Sequence, residues 1–140
     1  MATVIKNTPI GLNLPITSGP VGYFDQSTDT FTAYRMNIIN LIRTVPGERR
    51  MNPTFGSRLW NITFEPNDEF ISTKVQNTIK EDISQWIPGV TVQSVDVKFL
   101  EGDESTDLRD IYKLYIIVKF TIDAINQEDV VEIILNKNKI

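Results

Sequence analysis

The sequence predicts an α+β domain in which two helices lie on one face of a small, largely antiparallel sheet, with an extended arm ahead of them. Three observations carry that expectation. Apolar residues recur at helical spacings in two separate stretches, a period of two takes over beyond Gly89, and prolines and glycines punctuate the first 28 residues. With 140 residues, 41% of them hydrophobic and 23% charged, the chain suffices for one core and not for two. The division expected is an arm over residues 1–28 and a single domain over 29–140.

Pro9, Gly11, Pro15, Gly19, Pro20 and Gly22 keep the arm from settling into a helix. Ile10, Leu12, Leu14 and Ile16 alternate with the strand period, and together with Tyr23 and Phe24 they make the arm too apolar for a solvated linker. One of its faces is expected against a surface, either its own domain's or a neighbour's.

The first helix is expected over about Thr30 to Thr44, with Phe31, Tyr34, Ile38, Leu41 and Ile42 on one side and Asn37, Asn40 and Arg43 on the other. Pro46 and Gly47 end it. A polar, loop-like stretch, GERRMNPTFGSRLW, leads to a longer helix that starts near Asn67 or Asp68, where a side-chain oxygen can cap and where Asp68 and Glu69 suit the helix dipole. Ile71, Val75, Ile79, Ile83 and Trp86 form its stripe, and Pro88 and Gly89 stop it.

Val90 and Val92 then alternate, while Val95, Val97 and Phe99 alternate one step out of phase, which predicts a bulge near Gln93 and Ser94. Tyr112, Leu114, Ile116, Val118, Phe120 and Ile122 share one strand face, and Ile111, Tyr115 and Ile117 make the other partly apolar, as a central strand requires. A turn around Asn126 and Gln127 leads to a last strand carrying Val131, Ile133 and Leu135. The acidic stretch Glu101, Asp103, Glu104, Asp107 and Asp110 lacks EF-hand spacing and reads as a solvated hairpin loop.

Composition excludes much chemistry. The chain has neither cysteine nor histidine, so disulfides, thiolate metal sites, cysteine nucleophiles and histidine general bases are all impossible. No glycine-rich phosphate loop occurs, and Ser57 lies in FGSRL rather than in a nucleophile elbow. No cofactor and no metal are expected. The net charge of −4 with scattered basic residues argues against nucleic acid and against an acidic membrane surface as partners. The opening residues are not expected to form a signal peptide or membrane span, because Asn7, Thr8, Pro9, Asn13 and Pro15 interrupt their apolar run. Glu48, Glu65, Asp68 and Glu69 are the carboxylates that could serve a glycosidase, but capping and ion pairing with Arg49 and Arg50 explain them more simply.

One segment carries a more specific signal. LIRTVPGERRMNPTFGSRLWNITFEPND, Leu41 to Asp68, presents Thr44, Gly47, Glu48, Arg49, Met51, Pro53, Phe55, Gly56, Ser57 and Leu59 in order. That pattern resembles the signature of the baseplate wedge and sheath-initiator family of contractile phage tails, type VI secretion systems and related injection devices. In physical terms Gly47 and Gly56 permit turns closed to other residues, Phe55, Leu59 and Trp60 can anchor the loop, and Glu48 with Arg49, Arg50 or Arg58 can hold it by charged hydrogen bonds. The resemblance implies a structural, non-enzymatic part of a virion tail baseplate, made in the host cytoplasm. Its implied partners are other baseplate wedge proteins and the sheath subunit, in six copies per baseplate. It also implies a wedge-core contact just after the long helix, where the family carries Glu-Pro-Arg. Here the residues are Ile87, Pro88 and Gly89, so an apolar dock through Trp86, Ile87, Pro88 and Gly89 has to replace the charged one. A further implication is that sheath arms add strands to an edge of the sheet. Val130, Glu132 and Ile134 of the last strand, Val130 to Asn136, are the candidate positions. Two other readings compete: a lysozyme-like cell-wall glycosidase, and a tail-assembly chaperone absent from the finished particle.

Overall fold

The computed structural model describes residues 9–20, 22–62, 69–101 and 112–136. The chain runs through β1 (Gly11–Leu12), β2 (Gln26–Ser27), α1 (Thr30–Arg43), α2 (Leu59–Ile62), α3 (Glu69–Trp86), β3 (Val90–Glu101), β4 (Tyr112–Ile122) and β5 (Gln127–Asn136). The three long strands form one antiparallel sheet in the order β3-β4-β5, so β4 is central as its two-faced apolar pattern predicts. β1 and β2 form a separate two-stranded ribbon, and the expected α+β architecture is the one observed.

Alternation decides which sheet face is covered. Leu114, Ile116, Val118, Phe120 and Ile122 of β4 are buried with Val131, Ile133 and Leu135 of β5 and with Val90 and Val95 of β3. Onto that face pack Ile38, Leu41 and Ile42 of α1 and Ile71, Val75, Ile79 and Ile83 of α3. α3 lies over β3 and α1 over β5. Ile79 and Ile83 are fully buried, and truncating either to alanine is expected to cost about 2–5 kcal/mol.

The helix ends have local causes. Asp29 caps α1 by accepting from the Thr32 amide at 3.1 Å. At the other end the Thr44 hydroxyl donates to the Asn40 carbonyl at 2.6 Å. The start of α3 expected at Asn67 or Asp68 lies outside the described residues, as do the acidic stretch from 102 to 110 and the residues after Asn136. The predicted bulge is present, since the β3 to β4 register shifts between Val92 and Ser94. Gln93, left between the two registers, donates through its amide to the Thr121 hydroxyl at 3.0 Å. Asn126 takes a left-handed backbone conformation, φ 52°, and its amide donates to the Ile122 carbonyl at 2.8 Å. That closed turn lets β5 begin at Gln127 rather than at Val130.

One expectation changes and one narrows. The stretch read as a loop contains the short helix α2, which buries Leu59 and Ile62. The alternation of Ile10, Leu12, Leu14 and Ile16 is not laid against the chain's own domain, since Ile10, Leu12 and Ile16 are exposed, so of the two surfaces expected the neighbour's is the one left; within residues 10–16 only Gly11–Leu12 is strand. Backbone pairing is what holds β1 within the chain, to β2 through Gly11 opposite Ser27 and Leu12 opposite Gln26, and this ribbon rests on α1.

Candidate docking sites

The family-motif loop is tied down at both ends by backbone. The Gly47 amide donates to the Pro53 carbonyl at 2.7 Å, and the Ser57 amide to the Thr44 carbonyl at 3.0 Å. Gly56 sits where the loop passes back over the end of α1 at φ 138°, and a Cβ there would lie 2.7 Å from both the Pro46 nitrogen and the Thr44 carbonyl oxygen. Only glycine fits that position. Leu59 is fully buried below it, and the Trp60 indole donates to the Ile42 carbonyl at 3.1 Å.

The charged contacts differ from those expected. Glu48 accepts the Val45 amide at 3.1 Å, as a local cap of the turn. Arg49 lies over the Phe55 ring at 4.1 Å from its centroid. Arg58 reaches instead to α3, where its Nε donates to Asp82 at 2.9 Å and its Nη2 to Glu81 at 2.8 Å. The hydrogen bond to Glu81, then that to Asp82, raises the Arg58 pKa above its ordinary value. Asp82 is buried and also accepts from the Ser57 hydroxyl at 2.9 Å and from the Arg58 amide at 3.0 Å. Four donors from one dipeptide thus converge on two adjacent carboxylates, three of them on Asp82. Sequence reading missed Asp82, yet the signal was there: it falls seven residues after Val75 and four before Trp86, on the buried stripe itself.

The clamp sets the loop beside the end of α3. Phe55 meets Trp86 edge to face, with ring centroids 5.3 Å apart at 70°. Beside this pair lies an open groove of about 600 Å³ whose lining includes Tyr34, Arg49, Phe55, Trp86, Ile87 and Pro88. Residues drawn from two separate predictions, the motif loop and the turn after the long helix, therefore share one surface. Within that turn Ile87 is buried and Pro88 and Gly89 are exposed. Gly89 has φ 84°, and its carbonyl accepts the Asp123 amide at 3.0 Å, which fixes the turn to the β4–β5 connection.

The second surface is the β5 edge, unpaired among the described residues. Val130 and Ile134 are 42% and 50% exposed, and Glu132 between them accepts from the Tyr115 hydroxyl at 2.7 Å. Behind the strand, Asp129 is held by the Arg35 guanidinium of α1, whose Nε donates at 2.6 Å and whose Nη2 pairs with the second carboxylate oxygen. Desolvation pushes the Asp129 carboxyl up, but the Arg35 hydrogen bond, the Val130 amide and the Arg35 charge outweigh it and hold it below its ordinary value.

Of the carboxylates considered for glycosidase chemistry, Glu65 and Asp68 lie outside the described residues, and Glu48 is engaged in the turn. What the geometry does assemble is a two-layer domain with a clamped aromatic groove and, among the described residues, an unpaired strand edge. The model of the family described as baseplate wedge protein gp25 matches residues 34–127, and the chain belongs to that family of contractile-tail baseplate components. Solved structures share the fold. One from the 6-fold symmetrised cryo-EM baseplate of the anti-feeding prophage is 20% identical, with 80% of this chain and 83% of that one covered at a TM-score of 0.62. A Geobacter sulfurreducens protein provisionally named a tail lysozyme is 19% identical over 75% of this chain and 88% of its own, at a TM-score of 0.61. A chain of the type VI secretion baseplate complex is 12% identical over 71% of this chain and 87% of its own, at a TM-score of 0.50. No curated protein matches the chain.

Proposed function

We propose that this protein is a non-catalytic wedge component that starts the sheath, by offering β5 as a template to which arms of the first sheath ring add a strand. The observation that carries this reading is β5 itself, ten residues of unbroken strand paired on one side by β4 and backed by α1. Strand addition draws its affinity from main-chain hydrogen bonds, so it needs an accessible edge more than particular side chains. The opposite edge, β3, is the poorer template, because a bulge interrupts its register and bulges discourage pairing. The groove beside Phe55, Trp86, Ile87 and Pro88 then serves as the apolar dock for the wedge core, with Gly89 setting the turn. Six copies per baseplate fit the 6-fold baseplate to which this fold is similar. Synthesis in the host cytoplasm precedes incorporation into the tail.

Because the chain has no cysteine, single cysteines introduced at Val130, Glu132 and Ile134 and at Val131 and Ile133 are unique probes. Mixed with the sheath subunit carrying a cysteine scan of its arms, the exposed even-numbered positions should cross-link with a period of two. Cross-links without that period, or none, would remove strand addition at β5. Mass spectrometry of purified particles separates a resident component from a chaperone, and wall-lytic activity lost in a folded variant carrying both Glu48→Gln and Glu65→Gln would restore the glycosidase reading.

A further inference from the structure

The exposed face of β5 has a chemical pattern of its own. Glu128, Val130, Glu132 and Ile134 point to one side, all exposed, so acidic and apolar side chains alternate along the face that an added strand would lie beside. Asp129, the remaining acid of the strand, points to the helix side and is taken up by Arg35. On the neighbouring strand β4 the same face carries Tyr115, Ile117 and Lys119, opposite Ile134, Glu132 and Val130 respectively. The Tyr115 hydroxyl donates to Glu132, and Lys119 stands across from Val130, diagonal to both glutamates. The other lysine on this face of β4, Lys113, is paired with Asn136 at the far end of the strand, so beside Glu128 and Glu132 one described lysine stands against two carboxylates and that stretch of the edge is acidic.

We infer that the β5 edge selects an extended strand whose face alternates Lys or Arg with β-branched apolar residues, and that the same pattern rejects a second copy of this chain. The inference rests on the strand-addition reading and names the chemistry of the strand that is added. Directly opposed residues on paired strands share a face, so a cation two positions from a valine or isoleucine meets Glu128 or Glu132 while its neighbour meets Val130 or Ile134. Self-pairing fails by the same geometry. Set antiparallel against itself, β5 has two registers over most of its length that bring apolar residues together. Val130 opposite Ile134 puts Glu132 directly against Glu132, and Val130 opposite Val130 puts Glu128 against Glu132. Like charges directly opposed are destabilising. A long, partly apolar edge strand would otherwise be an invitation to polymerise.

The test uses the full chain and two labelled peptides of strand-forming sequence, identical except that the alternating charged positions are lysine in one and glutamate in the other. The lysine peptide should bind about 3- to 30-fold tighter at low salt, with the difference shrinking as salt rises. The variant Glu128→Gln with Glu132→Gln should lose that preference and should self-associate more than wild type in sedimentation. A control that neutralises Glu48 and Glu81, on the motif loop and on α3 away from β5, removes the same net charge and should keep the preference. Equal affinity for the two peptides, an unchanged preference in the glutamine variant, a preference lost in the control, or a wild-type dimer cross-linked through β5 would each overturn the inference. The cross-linking pattern with sheath separates the two levels. Period-two cross-links without charge preference leave strand addition standing and sink only the selection of a basic strand, whereas absence of the period removes both.

Discussion

The motif loop and the β5 edge are both proposed contact regions, but they are built on opposite principles. The loop, closed at its ends by backbone bonds, is fixed against the helices by side chains and close approach: Ser57 and Arg58 donate into buried Asp82, Phe55 packs on Trp86, and Gly56 passes within contact of the α1 terminus. The edge is held by backbone pairing to β4, with exposed side chains that few neighbours constrain. Residue identity therefore matters strongly for stability in the first region and weakly for it in the second, where side chains act on association instead. Substitutions should separate the two accordingly, with losses of stability in the loop and losses confined to association at the edge.

The largest effect is expected at Gly56. A φ of 138° combined with a Cβ 2.7 Å from two backbone atoms leaves alanine no relaxed position. Gly56→Ala should cost about 3–5 kcal/mol in urea unfolding, combining backbone strain with overpacking. A cost as small as that of Gly47→Ala, where a Cβ would meet open space although φ is 93°, would show that close approach is not what fixes this position.

Asp82→Ala comes next. It strips the acceptor from the Ser57 hydroxyl and the Arg58 amide and guanidinium, and a loss of about 2–4 kcal/mol is expected. The loop should loosen with it, seen as faster amide exchange at Ser57 and Arg58 and as altered fluorescence of Trp86. If Asp82→Ala destabilises the protein while leaving exchange in the loop unchanged, the clamp is not what positions the groove.

The loop also explains how far the sequence could be read. Both long helices, the three-stranded sheet and its bulge follow from periodicity, because burial on one face imposes a spacing that the residues must obey. Gly47 to Leu59 is legible as a motif, but its wiring is not: Glu48 is offered to Arg49, Arg50 or Arg58 alike, whereas Arg58 reaches Glu81 and Asp82, more than twenty residues away, and the place of Asp82 on the buried stripe does not say which loop residue it meets. α2 was hidden because four residues cannot display a helical period. The arm is legible only in part, as its alternation is real but the exposure of Ile10, Leu12 and Ile16 shows that its own domain is not the surface it implies. At the β5 edge the sequence identifies the strand, while its place at the end of the sheet order among the described residues is something that only the fold reveals.

A middling effect belongs to the pair behind the edge. Asp129 has its pKa held below the ordinary value, so the Arg35 contact contributes stability above the unfolded carboxylate pKa of about 4 and loses it as pH falls through the folded value. Since Arg35 is partly exposed, Asp129→Asn should cost no more than about 1 kcal/mol at neutral pH. The gap between wild type and variant should close on acidification below about pH 4, and a gap that persists there would mean the carboxylate acts through packing rather than charge.

The smallest expected effect is also the most direct probe of the outward face of β5. The Tyr115 hydroxyl donates to Glu132, and this hydrogen bond, followed by desolvation and the nearby negative charge, raises the phenol pKa above its ordinary value. A raised pKa on a group that is neutral when protonated means that the contact is complete at neutral pH and disappears as pH rises through the folded value. The other three tyrosines are removed from the measurement by subtracting the alkaline titration of Tyr115→Phe from that of wild type. The difference curve should move toward the ordinary tyrosine range in Glu132→Gln, with no detectable change in unfolding midpoint at neutral pH. A shift in midpoint comparable to that of the loop variants would contradict the contrast between the two regions, because it would make an exposed edge side chain structural. An unmoved titration would instead mean that Glu132 is not held by Tyr115 and is free to follow whatever strand is added beside it.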